Sequence, residues 1–160
     1  MKKQKSMGNK GFSLVELIIV IAIMAILVGV LAPQLLRYVE KTRVSADTQL
    51  ADSVKTAVTT AMMDPTVMND ADFATDIAPF QASGGAAITS IGGNAFGDEV
   101  ATTLGETAGG DIDGTWVTEH LRSADASGIT VEILGSNRVR VTIDGSHADG
   151  NGGSDEIVVE

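Results

Sequence analysis

The sequence predicts an α+β fold in which a long N-terminal helix packs on a small C-terminal antiparallel β-sheet. Three observations support this fold: one N-terminal stretch is almost wholly apolar, an amphipathic helical pattern follows it, and apolar and polar residues alternate in the C-terminal third. The chain has 160 residues, of which 44% are hydrophobic and 20% charged. This length suits one domain with an appended segment.

The N-terminal stretch, residues 12–36, is long enough to cross a membrane. It contains 25 residues with a single charge, Glu16, and about 20 helical residues span the roughly 30 Å of a hydrocarbon core. Four lysines and no acidic residue precede the stretch. By the positive-inside rule, the sequence predicts a single-pass membrane protein with a cytoplasmic N-terminus and an exported remainder.

The exported part is strongly acidic. From residue 12 onward the chain carries all 21 of its acidic side chains but only seven of its 11 basic ones, which gives a net charge of −14. A domain with this charge repels polyanions, so we exclude nucleic acid as a partner. The absence of cysteine from the sequence excludes disulfides, thiol catalysis and zinc–thiolate sites.

A secretory signal peptide is an alternative explanation of the apolar stretch. Its apolar region spans about 7 to 15 residues and ends at a small-residue cleavage site, whereas this stretch is longer and no such site closes it. The unusual junction lies in front of the stretch, in the segment Lys10-Gly11-Phe12-Ser13-Leu14-Val15-Glu16-Leu17. This segment resembles the prepilin signature of type IV pilins and pseudopilins, and the resemblance extends to about residue 44.

The resemblance implies a leader peptide over residues 1–11 and a filament-forming helix over residues 12–63. A prepilin peptidase would cut between Gly11 and Phe12 and methylate the new amine of Phe12. The implied partners are copies of the chain in a helical filament, an inner-membrane assembly platform and its ATPase. The protein would lie in the cell membrane before assembly and in a surface filament afterwards.

Two other functions remain open at the level of sequence. Within the same family, the chain would be a pseudopilin of a type II secretion or competence system. Outside the family, it would be a single-pass anchored domain that binds a ligand or acts as an enzyme. That second alternative explains the apolar stretch but leaves the junction at Gly11 and the charge at Glu16 without a role.

Glu16 is the one charged residue of the apolar stretch. A carboxylate in a membrane helix costs about 2.5–3.5 kcal/mol on insertion scales, so it either marks a function or snorkels to the nearby headgroups. Cleavage would create an amine on Phe12 in the same apolar zone. Pairing that amine with Glu16 of a neighbouring subunit would neutralise both charges, and the resemblance assigns Glu16 this assembly role.

Gly29 and Pro33 are the residues that weaken the predicted helix. An interior proline removes a hydrogen bond and costs about 3 kcal/mol or more; a simple kink at the membrane edge is the other explanation. Pilins resemble this chain in having a proline at the position of Pro33, and their helix often loosens just before it in filaments. We therefore expect the helix to loosen at Gly29 and Pro33 on assembly.

Beyond Pro33 the pattern becomes amphipathic, and the helix is predicted to end at Met63, before Asp64 and Pro65. One apolar stripe faces a core and a set of charged residues is predicted to face water. The stripe is Leu50, Val54, Ala57 and Ala61, and the charged set is Lys41, Arg43, Asp47, Asp52 and Lys55. The two alanines make a seam too narrow for a coiled coil, so the sheet is predicted to cover it.

Residues 64–160 are predicted to form an acidic globular domain, with a loop region over 64–128 and the sheet over 129–160. Short helices are predicted over 70–78, started by Asn69 or Asp70, and over 115–122, capped by Thr115. Trp116 is predicted to anchor the core rather than to bind a ligand. The glycine pairs form no phosphate-binding motif and no catalytic motif is present, so the protein is not expected to be an enzyme.

The C-terminal third predicts a hairpin and one further strand. Alternating residues over 129–134 and 138–143 flank a three-residue loop, which places Leu134 opposite Arg138 and Glu132 opposite Arg140. Residues 157–159 are predicted to form a third strand.

The glycine-rich loop between the last two strands carries oxygen ligands of the kind that calcium prefers. The weak calcium candidates are Asp144, Asp149, Asn151 and Asp155. Their spacing does not match an EF-hand, and such turns are usually only solvated. No cofactor is therefore expected, with calcium as the alternative.

Overall fold

The computed structural model describes residues 11–107, 112–135, 138–145 and 156–160. Five α-helices and four strands lie in these ranges. The helices are α1 (Leu14–Met63), α2 (Pro65–Met68), α3 (Phe73–Gln81), α4 (Ala95–Thr103) and α5 (Gly114–His120), and a 3-10 helix spans Ile88–Ser90. The strands are β1 (Ala86–Ala87), β2 (Ala126–Leu134), β3 (Arg138–Gly145) and β4 (Ile157–Val159). The predicted α+β fold with a long N-terminal helix and an antiparallel sheet is confirmed.

The chain divides into two compact units, one that ends at Tyr38 and one that runs from Val39 to Glu160. In the first unit, the described residues form the beginning of α1. The helix continues through Pro33 without a break in its α-helical assignment. The second unit, called the head below, contains the rest of α1 and all the other elements.

The core of the head joins one face of α1 to the inner face of the sheet. The helix contributes Ala51, Val54, Ala57, Val58 and Ala61, and the sheet contributes Ile129, Val131, Ile133, Val139, Val141 and Ile143. These side chains are at most 6% exposed. The predicted stripe is therefore confirmed at three of its four positions, whereas Leu50 is only half-buried at its edge.

The sheet has the order β1-β2-β3-β4 and all neighbouring strands are antiparallel. The predicted hairpin register is confirmed, since Leu134 lies opposite Arg138 and Glu132 opposite Arg140. The strand β1 was not predicted. It can approach β2 because Gly85, at φ +67°, has no side chain where a Cβ would lie 2.2 Å from the carbonyl oxygen of Val131.

The segment between α1 and the hairpin is more regular than its composition predicts. Helix α3 begins three residues later than expected, and α5 is capped by Asp113, whose Oδ1 accepts from the Thr115 and Trp116 N–H groups at 2.8 and 2.9 Å. The prediction that Thr115 caps this helix is wrong, because Thr115 lies inside it. Trp116 is buried and donates its indole N–H to Glu106 at 2.9 Å, as expected for a core anchor.

Helix α4 was not predicted, because its sequence lies in a stretch rich in glycine, alanine and threonine. Its N-cap is Asn94, whose side-chain oxygen accepts from the Gly97 N–H at 2.7 Å.

The break after α1 falls where expected. Asp64 there caps α2, and its hydrogen bonds with Thr66 lower the pKa of the Asp64 carboxyl.

Candidate assembly site on the long helix

The described part of the first unit exposes its large apolar side chains. Every large apolar residue from Phe12 to Leu36 is between 51% and 92% exposed. Among the described residues, α1 is the one helix that is long and apolar enough to cross a membrane. An apolar surface this large does not stay in water, so the beginning of α1 requires lipid or other protein around it.

Glu16 closes the start of α1 in a capping box. The Ser13 N–H donates to Glu16 Oε2 at 2.9 Å, and the Ser13 Oγ accepts a longer bond, 3.4 Å, from the Val15 N–H. A carboxylate in the first turn also interacts favourably with the helix dipole. The carboxylate is therefore bonded to the Phe12–Ser13 peptide, the next peptide after the predicted cleavage bond between Gly11 and Phe12. This capping role was not predicted, although a serine three residues before a glutamate is its known sequence signal.

The predicted cleavage junction is open to solvent. Phe12 is 92% exposed and Gly11 is exposed as well. A Cβ built at Gly11 meets no atom within 4 Å, and the backbone there does not adopt a positive φ. Within the described residues, the fold therefore places no demand for glycine at position 11.

Gly29 and Pro33 both lie inside α1, and neither interrupts it. A Cβ at Gly29 also meets nothing within 4 Å. Glycine within a helix costs about 1 kcal/mol relative to alanine, and no contact within the described chain explains it. The loosening expected at these residues concerns the assembled filament and stays a prediction.

A second carboxylate of α1 has a role that the sequence did not reveal. Asp47 was expected on the wet face, but it is completely buried. Its two oxygens accept from the backbone N–H groups of Arg122 at 2.7 Å and Ser123 at 2.9 Å. Glu40 accepts from the next N–H, that of Ala124, at 3.3 Å. Three successive N–H groups before β2 are therefore bound by two carboxylates of α1.

The outer face of the sheet carries an ionic network around Arg140. Its guanidinium lies 2.8 Å from Glu132 and also binds Glu160, and the hydrogen bond with Glu160 raises the pKa of Arg140. Next to it, Asp144 accepts from the Thr130 hydroxyl at 2.9 Å.

Of the four calcium candidates, one lies within the described residues. Asp144 is the calcium candidate that the structure describes, while Asp149, Asn151 and Asp155 lie outside the described residues. Within the described ranges no three metal-binding side chains cluster. Calcium binding therefore stays a prediction.

Comparison with known proteins places this geometry in a family. Residues 6–32 match the prokaryotic N-terminal methylation motif. Fimbrial protein Q of Moraxella bovis is 34% identical over 142 residues, which cover 81% of this chain and 88% of that protein. A fimbrial protein of Moraxella nonliquefaciens is 45% identical over 53 residues, about a third of each chain. No solved structure matches.

These matches and the fold define a filament-forming class of membrane-anchored protein. The chain belongs to the type IV pilin family, whose members are structural subunits of surface fibres.

Proposed function

We propose that the chain is cut between Gly11 and Phe12, methylated on Phe12, and polymerised into a type IV pilus through α1. The observation that carries the proposal is the exposure of every large apolar side chain from Phe12 to Leu36. Burying such surface is worth about 25 cal/mol per Å². Lipid supplies this burial before assembly, and the same helices of neighbouring copies supply it in the filament.

The proposed topology follows from the charges that flank the apolar run. The N-terminus is cytoplasmic before cleavage and the head is exported, because lysines precede the run and the remainder is acidic. A prepilin peptidase and an inner-membrane platform with its ATPase are the proposed partners for cleavage and extraction. The relatives are named fimbrial proteins, which favours a pilus over a secretion pseudopilin.

Glu16 is proposed to join subunits as well as to cap its own helix. The capping bond occupies Oε2, and no described residue bonds the other oxygen, Oε1. The amine that cleavage creates on Phe12 of a neighbouring copy is the proposed partner of the free oxygen. Both charges then leave the lipid together, which offsets the cost of burying either one alone.

The cleavage step is tested by replacing Gly11 with leucine. Because a side chain at position 11 meets no atom of the described chain, the variant should insert and fold as before. Uncut precursor should accumulate in the membrane, since the peptidase reads the junction. Immunoblotting of membranes with intact-mass analysis measures the cut fraction.

The matched control for this variant is Gly29→Ala. It changes a glycine inside α1 at which a Cβ likewise meets no atom within 4 Å, and it should be cut as the wild type is. Normal cutting of Gly11→Leu would show that the junction is not read at this residue.

A further inference from the structure

Two cations on α1 have no ion-pair or hydrogen-bond partner among the described residues of their own subunit. Arg37 and Lys41 are exposed and lie one helical turn apart. Within the described ranges, neither side chain takes part in an ion pair or hydrogen bond. The other basic residues of α1 are engaged, since Arg43 lies 3.4 Å from a carboxylate of the same helix and Lys55 donates to the backbone of Glu160.

The position of the two cations is unusual for a membrane helix. They follow directly after the apolar run, which ends at Leu36, and therefore stand on the side that the lysines of the N-terminus assign to export. Basic residues are enriched on the opposite, cytoplasmic side. Membrane topology therefore does not account for Arg37 and Lys41, and they require another explanation.

The remainder of the subunit provides the opposite charge. Residues 64–160 contain three basic and 17 acidic side chains. Copies with heads of this charge repel one another when they are brought close together. In every subunit, Arg37 and Lys41 on the assembling helix would offset this repulsion.

We propose that Arg37 and Lys41 form a cationic patch that binds the acidic surface of residues 64–160 in a neighbouring copy. The proposal rests on the proposed function, because it needs copies packed side by side through α1. Comparison with known proteins does not identify what binds Arg37 and Lys41. The proposal identifies it as a neighbouring copy of the chain. The contact is electrostatic, so it weakens with salt.

Anionic lipid headgroups are the competing occupant of the patch. A head with this excess of acidic side chains repels an anionic membrane surface over a Debye length of about 8 Å at physiological salt. The same head attracts the cations of another copy. The charge distribution therefore favours the copy.

Chemical crosslinking tests the contact directly. After residue 11 the chain contains two lysines, Lys41 and Lys55, so a carbodiimide that joins amines to carboxylates has few targets. In sheared filaments, Lys41 should link to an acidic residue of 64–160 in species of twice the subunit mass. Lys55 should link within one subunit, because its amine already donates to Glu160.

The variant Lys41→Arg keeps the positive charge and removes the reactive amine. It should form filaments of normal yield and lose the link between subunits. Absence of the Lys41 link in the wild type, while Lys55 reacts, would overturn the proposal.

Charge reversal tests whether the contact supports assembly. The double variant Arg37→Glu, Lys41→Glu should give about tenfold fewer filaments at low salt, since two surface attractions become repulsions. Its matched control is Arg122→Glu, Arg138→Glu, which changes the net charge equally at two exposed cations of the head. The control leaves the patch itself unchanged, so it should yield severalfold more filaments than the patch variant. The difference in filament yield between the two double variants should narrow at about 0.5 M salt.

Two results would contradict the patch, a third would contradict the proposed function, and the three are distinguishable. Equal filament yields from both double variants would overturn the patch and leave polymerisation standing. Loss of cut subunit from the membrane, with an unchanged ratio of filament to membrane subunit, would assign the patch to lipid. A wild type that forms no filaments would overturn the proposed function itself.

Discussion

Glu16→Ala should abolish filament formation while leaving cleavage and membrane insertion intact. The change removes a carboxylate from an apolar helix, so insertion becomes easier. In the filament, however, the amine of Phe12 in the neighbouring copy would be buried without a partner, a loss of about 3–5 kcal/mol per contact. The measurement compares the cut fraction, the membrane level and the yield of sheared filaments with those of the wild type.

Glu16→Gln separates the pairing role from the capping role. Its amide oxygen can still accept from the Ser13 N–H, which donates to Glu16 at 2.9 Å, but its charge is gone. If the residue acts through capping alone, this variant should assemble like the wild type. If it pairs with an amine, the yield should lie between those of the wild type and Glu16→Ala. Normal filament yield from Glu16→Ala would refute the pairing role of Glu16.

Asp47→Ala should produce the second large effect, a loss of stability of the head. The carboxylate of Asp47 is fully buried and satisfies two backbone N–H groups. The change leaves the buried N–H of Ser123 and the part-buried N–H of Arg122 unpaired. A buried donor without a partner costs about 1–3 kcal/mol, so we expect a loss of about 3 kcal/mol. That is a large part of the roughly 5–15 kcal/mol by which domains are stable. Trp116 fluorescence during thermal unfolding of the full chain in detergent reports the change.

The control for this prediction is Asp52→Ala. Asp52 is an exposed carboxylate on the same helix, and such surface changes stay within about 0.5 kcal/mol. Asp47→Asn should fall between the two, because its amide keeps one acceptor oxygen. An unfolding midpoint for Asp47→Ala equal to that of Asp52→Ala would contradict the anchoring role.

The hairpin was predictable because its signal is local. Alternation fixes which face of each strand is buried, and a register shifted by one residue would have placed Glu132 opposite an apolar neighbour. The structure pairs Glu132 with Arg140 in the sheet and in an ion pair of 2.8 Å. The end of α1 was equally local, since Asp64 and Pro65 begin a new helix.

The role of Asp47 could not be predicted, because its partners are distant in sequence. Asp47 lies on α1 four positions before the buried Ala51. From the sequence, however, a carboxylate is expected to face water. Its burial depends on N–H groups 75 and 76 residues away. Helix α4 was missed for a related reason, since packing of Phe96 and Val100 into the core outweighs the weak propensity of its sequence.

The candidate site was likewise predictable only in those features that are local in the sequence. The junction at Gly11 and the charge at Glu16 were evident from residue types, and the capping serine was readable but overlooked. The partners proposed for Arg37 and Lys41 lie in another copy, so neither the sequence nor a single subunit displays them.

Intact-mass analysis of the subunits in sheared surface filaments tests the central claim most directly. We expect a chain of 149 of the 160 residues that begins at Phe12 and carries one methyl group on its amine. A filament subunit that begins at Met1, or that begins after Ala32, would contradict it.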